Sequence, residues 1–148
     1  MIERFEEFTL LISKLTRSIR RIKTEEMGKW NLKTCHVSCI YYLYERGALT
    51  SKELCDICGE DKANMSRSIE YLEENGYLKR TETSKKRYKT HFELTQKGRS
   101  VGENIFNRIG EILQKSSEGL SVEEREIMYR GLRLINDNLQ KIRDEYRN

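Results

Sequence analysis

Residues 50–98 read TSKELCDICGEDKANMSRSIEYLEENGYLKRTETSKKRYKTHFELTQKG. Thr50 and Glu53 stand at the Thr-x-x-Glu spacing of a capping box, in which each side chain satisfies the other residue's backbone N–H at a helix start. Leu54, Cys55 and Cys58 follow as a short apolar stripe. Gly59 supplies the left-handed residue on which helices commonly end. Asp61 can cap a second helix, read over residues 62–75. Met65, Ile69 and Leu72 fall at spacings of four and three there, so they share one face. Ala63, Arg67 and Glu70 then point the opposite way, with Asn64 and Ser66 on the flanks. Asn75-Gly76 closes the helix. Residues 77–82 and 90–95 read as strands, with Leu78, Phe92 and Leu94 facing inward at period two.

That order is helix, turn, helix, strand, basic tip, strand. It predicts a winged helix-turn-helix, a module whose second helix fits the DNA major groove. The outward groups near the start of the second helix are small, amide, hydroxyl or guanidinium. Such groups suit base edges and phosphates, so Ala63, Asn64, Ser66 and Arg67 are expected in the groove, with Lys62 near phosphate. Thr50 and Ser51 lie at a helix N-terminus, whose backbone N–H groups can take phosphate. The tip carries Lys85, Lys86 and Arg87, expected on the DNA backbone or minor groove. From Lys79 to Arg99 there are eight Lys/Arg against two acids, a local excess larger than the +4 of the entire chain. A charge run alone is usually a solvated loop. Placed directly after this helix pair, it reads as an electrostatic match for DNA.

The flanking sequence is built for long helices. The 148 residues contain no proline. Ile2, Phe5, Phe8, Ile12, Leu15, Ile19 and Ile22 follow spacings of three and four. Val101, Ile105, Ile109 and Ile112 make a second stripe. Met128, Leu132, Ile135, Leu139, Ile142 and Tyr146 alternate four and three, a narrow heptad seam opened by a Ser121/Glu124 capping box. One small winged domain cannot bury three such stripes, so pairing with a second copy is expected, the alternative being an intramolecular bundle. The fold class predicted is mainly α with a small β-wing. It is read as a single domain over residues 1–148, with the winged helix over about 33–98 and dimerisation helices over about 1–26 and 99–147.

The chain resembles the multiple antibiotic resistance regulator (MarR) family of bacterial transcription factors over nearly its whole length. The residues that carry the likeness are Leu54-Cys55, then 61–67 (DKANMSR), 72–78 (LEENGYL) and 94–98 (LTQKG). The resemblance implies a homodimer of triangular outline on a pseudo-palindromic operator, acting more as repressor than activator. It also implies release by a small ligand or by thiol oxidation, with an effector cleft where the dimerisation helices meet the winged domain. One departure stands out. The family wing carries Asp-x-Arg a fixed distance before the Leu-Thr pair, and here those places hold Lys86 and Tyr88, with Arg87 one residue out of step. Either the hairpin is one residue longer or the minor-groove arginine is replaced.

Four cysteines, Cys35, Cys39, Cys55 and Cys58, raise other readings. A redox Cys-x-x-Cys normally opens a helix after a strand, whereas Cys55-x-x-Cys58 lies late in its helix beside Asp56. Both are expected on the packing face as small hydrophobes. Cys35 and Cys39 share the face of a helix over residues 33–45 beside His36. Thiol sensing and metal binding remain the alternatives to packing, as does a thiol oxidoreductase or a winged-helix protein-interaction module. His36 is read as a structural hydrogen-bonding group and His91 as outward-facing. Trp30, Met27, Tyr41, Tyr42 and Tyr44 read as core before pocket. The basic run Lys14, Arg17, Arg20, Arg21 and Lys23 reads as the solvated face of an amphipathic helix. No catalytic triad, phosphate-cradling glycine loop or acid/base carboxylate pair is evident, so no enzyme, cofactor or metal is expected. The N-terminal stripe is interrupted by Glu3, Glu6 and Glu7, so a cytoplasmic protein without a membrane anchor is expected.

Overall fold

The computed structural model describes residues 2–81 and 90–146, the side chains of Ile2 and Glu3 aside. Helix α1 spans Ile2–Met27, followed by a 3-10 turn over Gly28–Trp30 and helix α2 over Thr34–Arg46. A two-residue strand β1, Leu49–Thr50, leads into α3, Ser51–Cys58, and α4, Lys62–Glu74. Strands β2, Leu78–Arg80, and β3, His91–Leu94, follow, then α5, Gln96–Ser116, and α6, Val122–Glu145. The chain divides into two compact units, Met1–Arg108 and Ile109–Asn148. Among the described residues no helix is long and apolar enough to cross a membrane.

In the first unit the three strands form one antiparallel sheet in the order β1-β3-β2. Leu78 faces Leu94 across the ladder, and Leu49 faces Phe92. All four are buried, as the period-two reading of the wing strands requires. Among the described residues the strands stop short of Tyr77 and Thr95, which serve other bonds, and Glu82 lies outside the described residues. Tyr77 N–H turns back to the Leu72 carbonyl at 2.8 Å, and Thr95 caps the next helix, its hydroxyl accepting from Gly98 N–H at 3.1 Å. Strand β1 was not foreseen. It consists of the capping residue Thr50 and its neighbour, paired to His91 and Phe92 some forty positions away.

The helix boundaries follow their caps. Thr50 Oγ1 accepts from Glu53 N–H at 3.2 Å, and Glu53 accepts from Thr50 N–H at 2.7 Å. Asp61 accepts from Asn64 N–H at 2.8 Å. Gly59 ends α3 in the left-handed conformation, φ 66°. Leu54, Met65, Ile69 and Leu72 are buried against α2, where Val37, Cys39, Ile40 and Leu43 complete the core. Helix α5 docks by close approach. A Cβ at Gly98 would fall within contact distance of the Tyr77 carbonyl oxygen, and one at Gly102 would lie 3.0 Å from Tyr44 Cβ. Arg108 and Glu26 join α5 to α1 through two hydrogen bonds of 2.8 Å.

The second unit holds the last turns of α5, a turn through Gly119 at φ 91°, and α6. Ser121 and Glu124 form the expected reciprocal cap, at 3.1 and 2.7 Å. Met128, Leu132, Ile135, Leu139, Ile142 and Tyr146 are all exposed.

Candidate nucleic-acid interface

Helix α4 is anchored by one face and open on the other. Met65 and Leu72 have no exposed surface, and Ser68 and Ile69 are also buried. Lys62, Ala63, Ser66 and Arg67 are exposed on the side away from that core, and Asn64 is half-buried at its edge. At the helix start Lys62 stands beside the capping Asp61, whose carboxylate accepts from Asn64 N–H. Asn64 is not idle: its Nδ2 donates to Glu60 Oε2 at 2.5 Å. Reading an adenine edge would require it to leave that carboxylate.

The N-terminus of α3 lies beside this helix. Thr50 has its backbone N–H and its hydroxyl donating to Glu53 at 2.7 and 2.8 Å. The backbone bond holds the Glu53 carboxyl below its ordinary range. Ser51 is half-buried at the first position of α3. Ser51, Lys52 and Lys62 share a cleft of about 530 Å³ with Arg80 and Phe92 of the wing strands. Lys52 and Arg80 are therefore cations of this face that the sequence reading did not single out. Arg80 forks onto Glu73 at 2.9 and 3.3 Å and lies over the Phe92 ring at 5.6 Å. Arg80 in β2 stands directly opposite Phe92 in β3. Lys85, Lys86 and Arg87 lie outside the described residues.

The cysteines divide. Cys35 and Cys39 are buried on α2, while Cys55 and Cys58 are only half-buried. Cys55 thus departs from the expected packing position. It follows Leu54 directly, so a 100° turn carries it off the core face, and it lines the cleft beside Ser51 and Lys52. Partial burial and the neighbouring Asp56 push its thiol up. The Cys39 thiol lies 3.5 Å from Met65 Sδ and within hydrogen-bonding reach of Cys35 and Cys58. These bonds to Cys35 and Cys58 push Cys39 up, hold Cys35 down at about 7 and lower Cys58.

His36 is a structural group, as expected. Its Nδ1 accepts the Lys33 N–H at 3.1 Å, and its ring stacks on Tyr71 of α4 at 4.3 Å. Tyr71 in turn donates to the Asn31 carbonyl at 3.1 Å. Burial lowers the His36 pKa. Met27 is buried, and Tyr41 and Tyr44 pack on Phe106 of α5 at 5.7 and 5.5 Å.

With this geometry in hand, the chain can be set beside known proteins. The sequence pattern of the MarR family matches residues 30–87. The chain is 22% identical over 139 residues to an uncharacterized HTH-type transcriptional regulator, YfiV, of Bacillus subtilis (strain 168), covering 94% of this chain and 87% of that protein. Its fold is similar to the crystal structure of the transcriptional regulator SlyA, with a TM-score of 0.81 at 20% identity over 90% of this chain and 94% of the other. It is also similar to S. aureus MepR in a DNA complex, with a TM-score of 0.78 at 18% identity over 89% and 96% of the two chains.

Proposed function

We propose, from the premise that this chain belongs to the MarR family through residues 30–87, that it is a homodimeric, sequence-specific repressor of transcription acting on a palindromic operator in the cytoplasm. The family is one of DNA-binding transcription factors, not enzymes. The observation that carries the proposal is the outward face of α4. Ala63, Ser66 and Arg67 are exposed there, while Met65, Ile69 and Leu72 fix the helix from behind. Arg67 reads a guanine edge, Asn64 and Ser66 adapt to neighbouring bases, and Ala63 permits close approach. Lys62, with Thr50 and Ser51 at the start of α3, sets the register on phosphates. The wing residues Lys85, Lys86 and Arg87 add contacts to the backbone or minor groove. The similar MepR structure was solved with DNA.

Pairing supports the operator symmetry. Residues 33–98 form the winged helix in this reading, flanked by dimerisation helices over 1–26 and 99–147. The exposed seam of α6 suits a second copy of the same helix. A two-fold dimer presents its recognition helices about one DNA turn apart, roughly 34–36 Å. In vitro selection of duplexes with the full chain, followed by footprinting, tests this. Two inverted half-sites at that spacing are expected. Recovery of no preferred sequence, or a footprint over one half-site only, would overturn it.

A further inference from the structure

A second carboxylate stands at the start of α4. Glu60 precedes the helix cap Asp61, and the backbone sets its place. Gly59 ends α3 in the left-handed conformation, and Glu60 N–H turns back to the Cys55 carbonyl at 3.1 Å. The two acids have different bonds. Asp61 accepts from Asn64 N–H and caps the helix, while Glu60 Oε2 accepts from Asn64 Nδ2 at 2.5 Å. An ionised carboxylate only accepts, so this bond also fixes which end of the Asn64 amide faces Glu60. Among the described residues Glu60 makes no ion pair, and Asn64 is the one side chain that donates to it. Glu60 is half-buried, so part of it stays open, at the end of α4 that carries the exposed Lys62 and Ala63.

Beside DNA such a carboxylate is unfavourable by default. It repels every phosphate alike, so on random sequence it only weakens binding. It becomes favourable where a base offers an N–H. In the major groove two bases do, cytosine through N4 and adenine through N6. Adenine places its N7 acceptor beside that donor, where a carboxylate oxygen meets a lone pair. An amide suits that edge better, and the Asn64 amide is held by Glu60. Cytosine carries a C5–H beside N4, which does not repel a carboxylate. Guanine and thymine present acceptors.

We propose that Glu60 is a specificity-determining residue that accepts a hydrogen bond from the N4 amino group of a cytosine in the operator, with Asn64 holding its carboxylate in place. The proposal rests on the DNA-binding reading above and adds one base to it. Asn64 lies three residues before Arg67, about 4.5 Å along the axis of an α-helix. Successive bases of one strand are about 3.4 Å apart. The cytosine should therefore stand about one or two base pairs from the guanine that Arg67 takes.

The test selects duplexes in vitro with the full chain, then titrates the selected duplex by anisotropy. The parent should enrich cytosine at one position of each half-site. N4-methylcytosine keeps its pair with guanine but turns a methyl group into the major groove in place of the N–H. Placed at that position, it should weaken the parent about tenfold or more. Glu60→Ala should bind the cytosine and N4-methylcytosine duplexes within about twofold of each other, while still selecting the guanine. Glu60→Gln keeps an acceptor for Asn64 and gains a donor, so its selected base should move from cytosine towards adenine. An equal loss on N4-methylcytosine for parent and Glu60→Ala overturns the proposal. So does a Glu60→Ala chain that binds every duplex more tightly by one factor with its base preference unchanged, because the carboxylate then acts on phosphates alone. The parent's response to N4-methylcytosine and the Glu60→Gln selection decide the matter even where Glu60→Ala does not fold. A parent that selects the guanine but no cytosine sinks this proposal alone, whereas one that selects no sequence sinks the regulator reading itself.

Discussion

At the residue scale, the proposed function gives Arg67 and Lys62 different tasks although both are exposed cations near the start of one helix. A guanidinium forks onto one base edge, so its loss is felt most at the correct site. An ammonium near phosphate acts on any sequence. Arg67→Ala should weaken binding to the selected operator by about 1–3 kcal/mol and random DNA by much less. Lys62→Ala should weaken both alike and reduce the salt slope by about one. Anisotropy titrations at several salt concentrations separate the two, and equal losses on both DNAs for Arg67→Ala would show that it does not read bases. His36 makes a pH prediction. Burial lowers its pKa in the folded state below the ordinary 6.5, so the unfolded chain binds more protons between the two values. Its contribution to stability is therefore complete above pH 6.5 and is lost as pH falls through the folded value. Protonation also removes the Nδ1 acceptor of the Lys33 N–H. His36→Phe keeps a ring against Tyr71 but should flatten this acid limb in thermal melts from pH 8 to about 5. An unchanged slope would place the proton uptake elsewhere.

At the element scale, the junction of α4, β2 and α5 is held by a few backbone contacts. Thr95 Oγ1 donates to the Gly76 carbonyl at 2.5 Å, Lys97 reaches the Asn75 carbonyl at 2.8 Å, and Gly98 lies against the Tyr77 carbonyl. Gly98→Ala forces a methyl group into that carbonyl and should destabilise the first unit by about 1–3 kcal/mol in urea unfolding. A neutral result would mean that α5 can lift away from β2 without cost. This junction explains why residues 94–98 carried a recognisable signature. The elements most legible in the sequence were those set by local rules. The Thr50/Glu53 and Ser121/Glu124 boxes, the Gly59 stop and the Met65–Ile69–Leu72 face depend only on residues within four positions, and each was found where spacing put it. What escaped depends on distant partners. Strand β1 exists because His91 and Phe92 lie opposite it. Arg80 joins the cleft through the fold of the sheet, and Cys55 leaves the core by one step of helical rotation. Asn64 was legible as an outward amide, but its bond to Glu60 was not.

At the scale of the whole molecule, the unresolved demand is apolar surface. Phe5, Leu15 and Ile19 on α1 are 67%, 56% and 51% exposed, and Leu139 and Ile142 on α6 are 56% and 47% exposed. A chain in which 35% of residues are charged does not need these side chains for solubility. Contiguous apolar stripes of this kind mark surfaces made for a partner. In the proposed dimer a second copy answers the heptad period of α6, because a two-fold axis brings the same seam to itself. Replacing Leu139 and Ile135 by Lys places charges on that seam without touching the winged unit. The variant should sediment near the 17.6 kDa of one chain, whereas the parent should sediment near twice that mass. Its affinity for a palindromic duplex should fall by about 10²–10⁴-fold, because the second half-site no longer binds at high effective concentration. Its affinity for a single half-site should stay close to that of the parent. That pairing of results assigns the seam to assembly and α4 to recognition. A variant that remained dimeric would move the interface to another surface, and one that lost half-site binding as well would make pairing a condition of the winged unit's own fold.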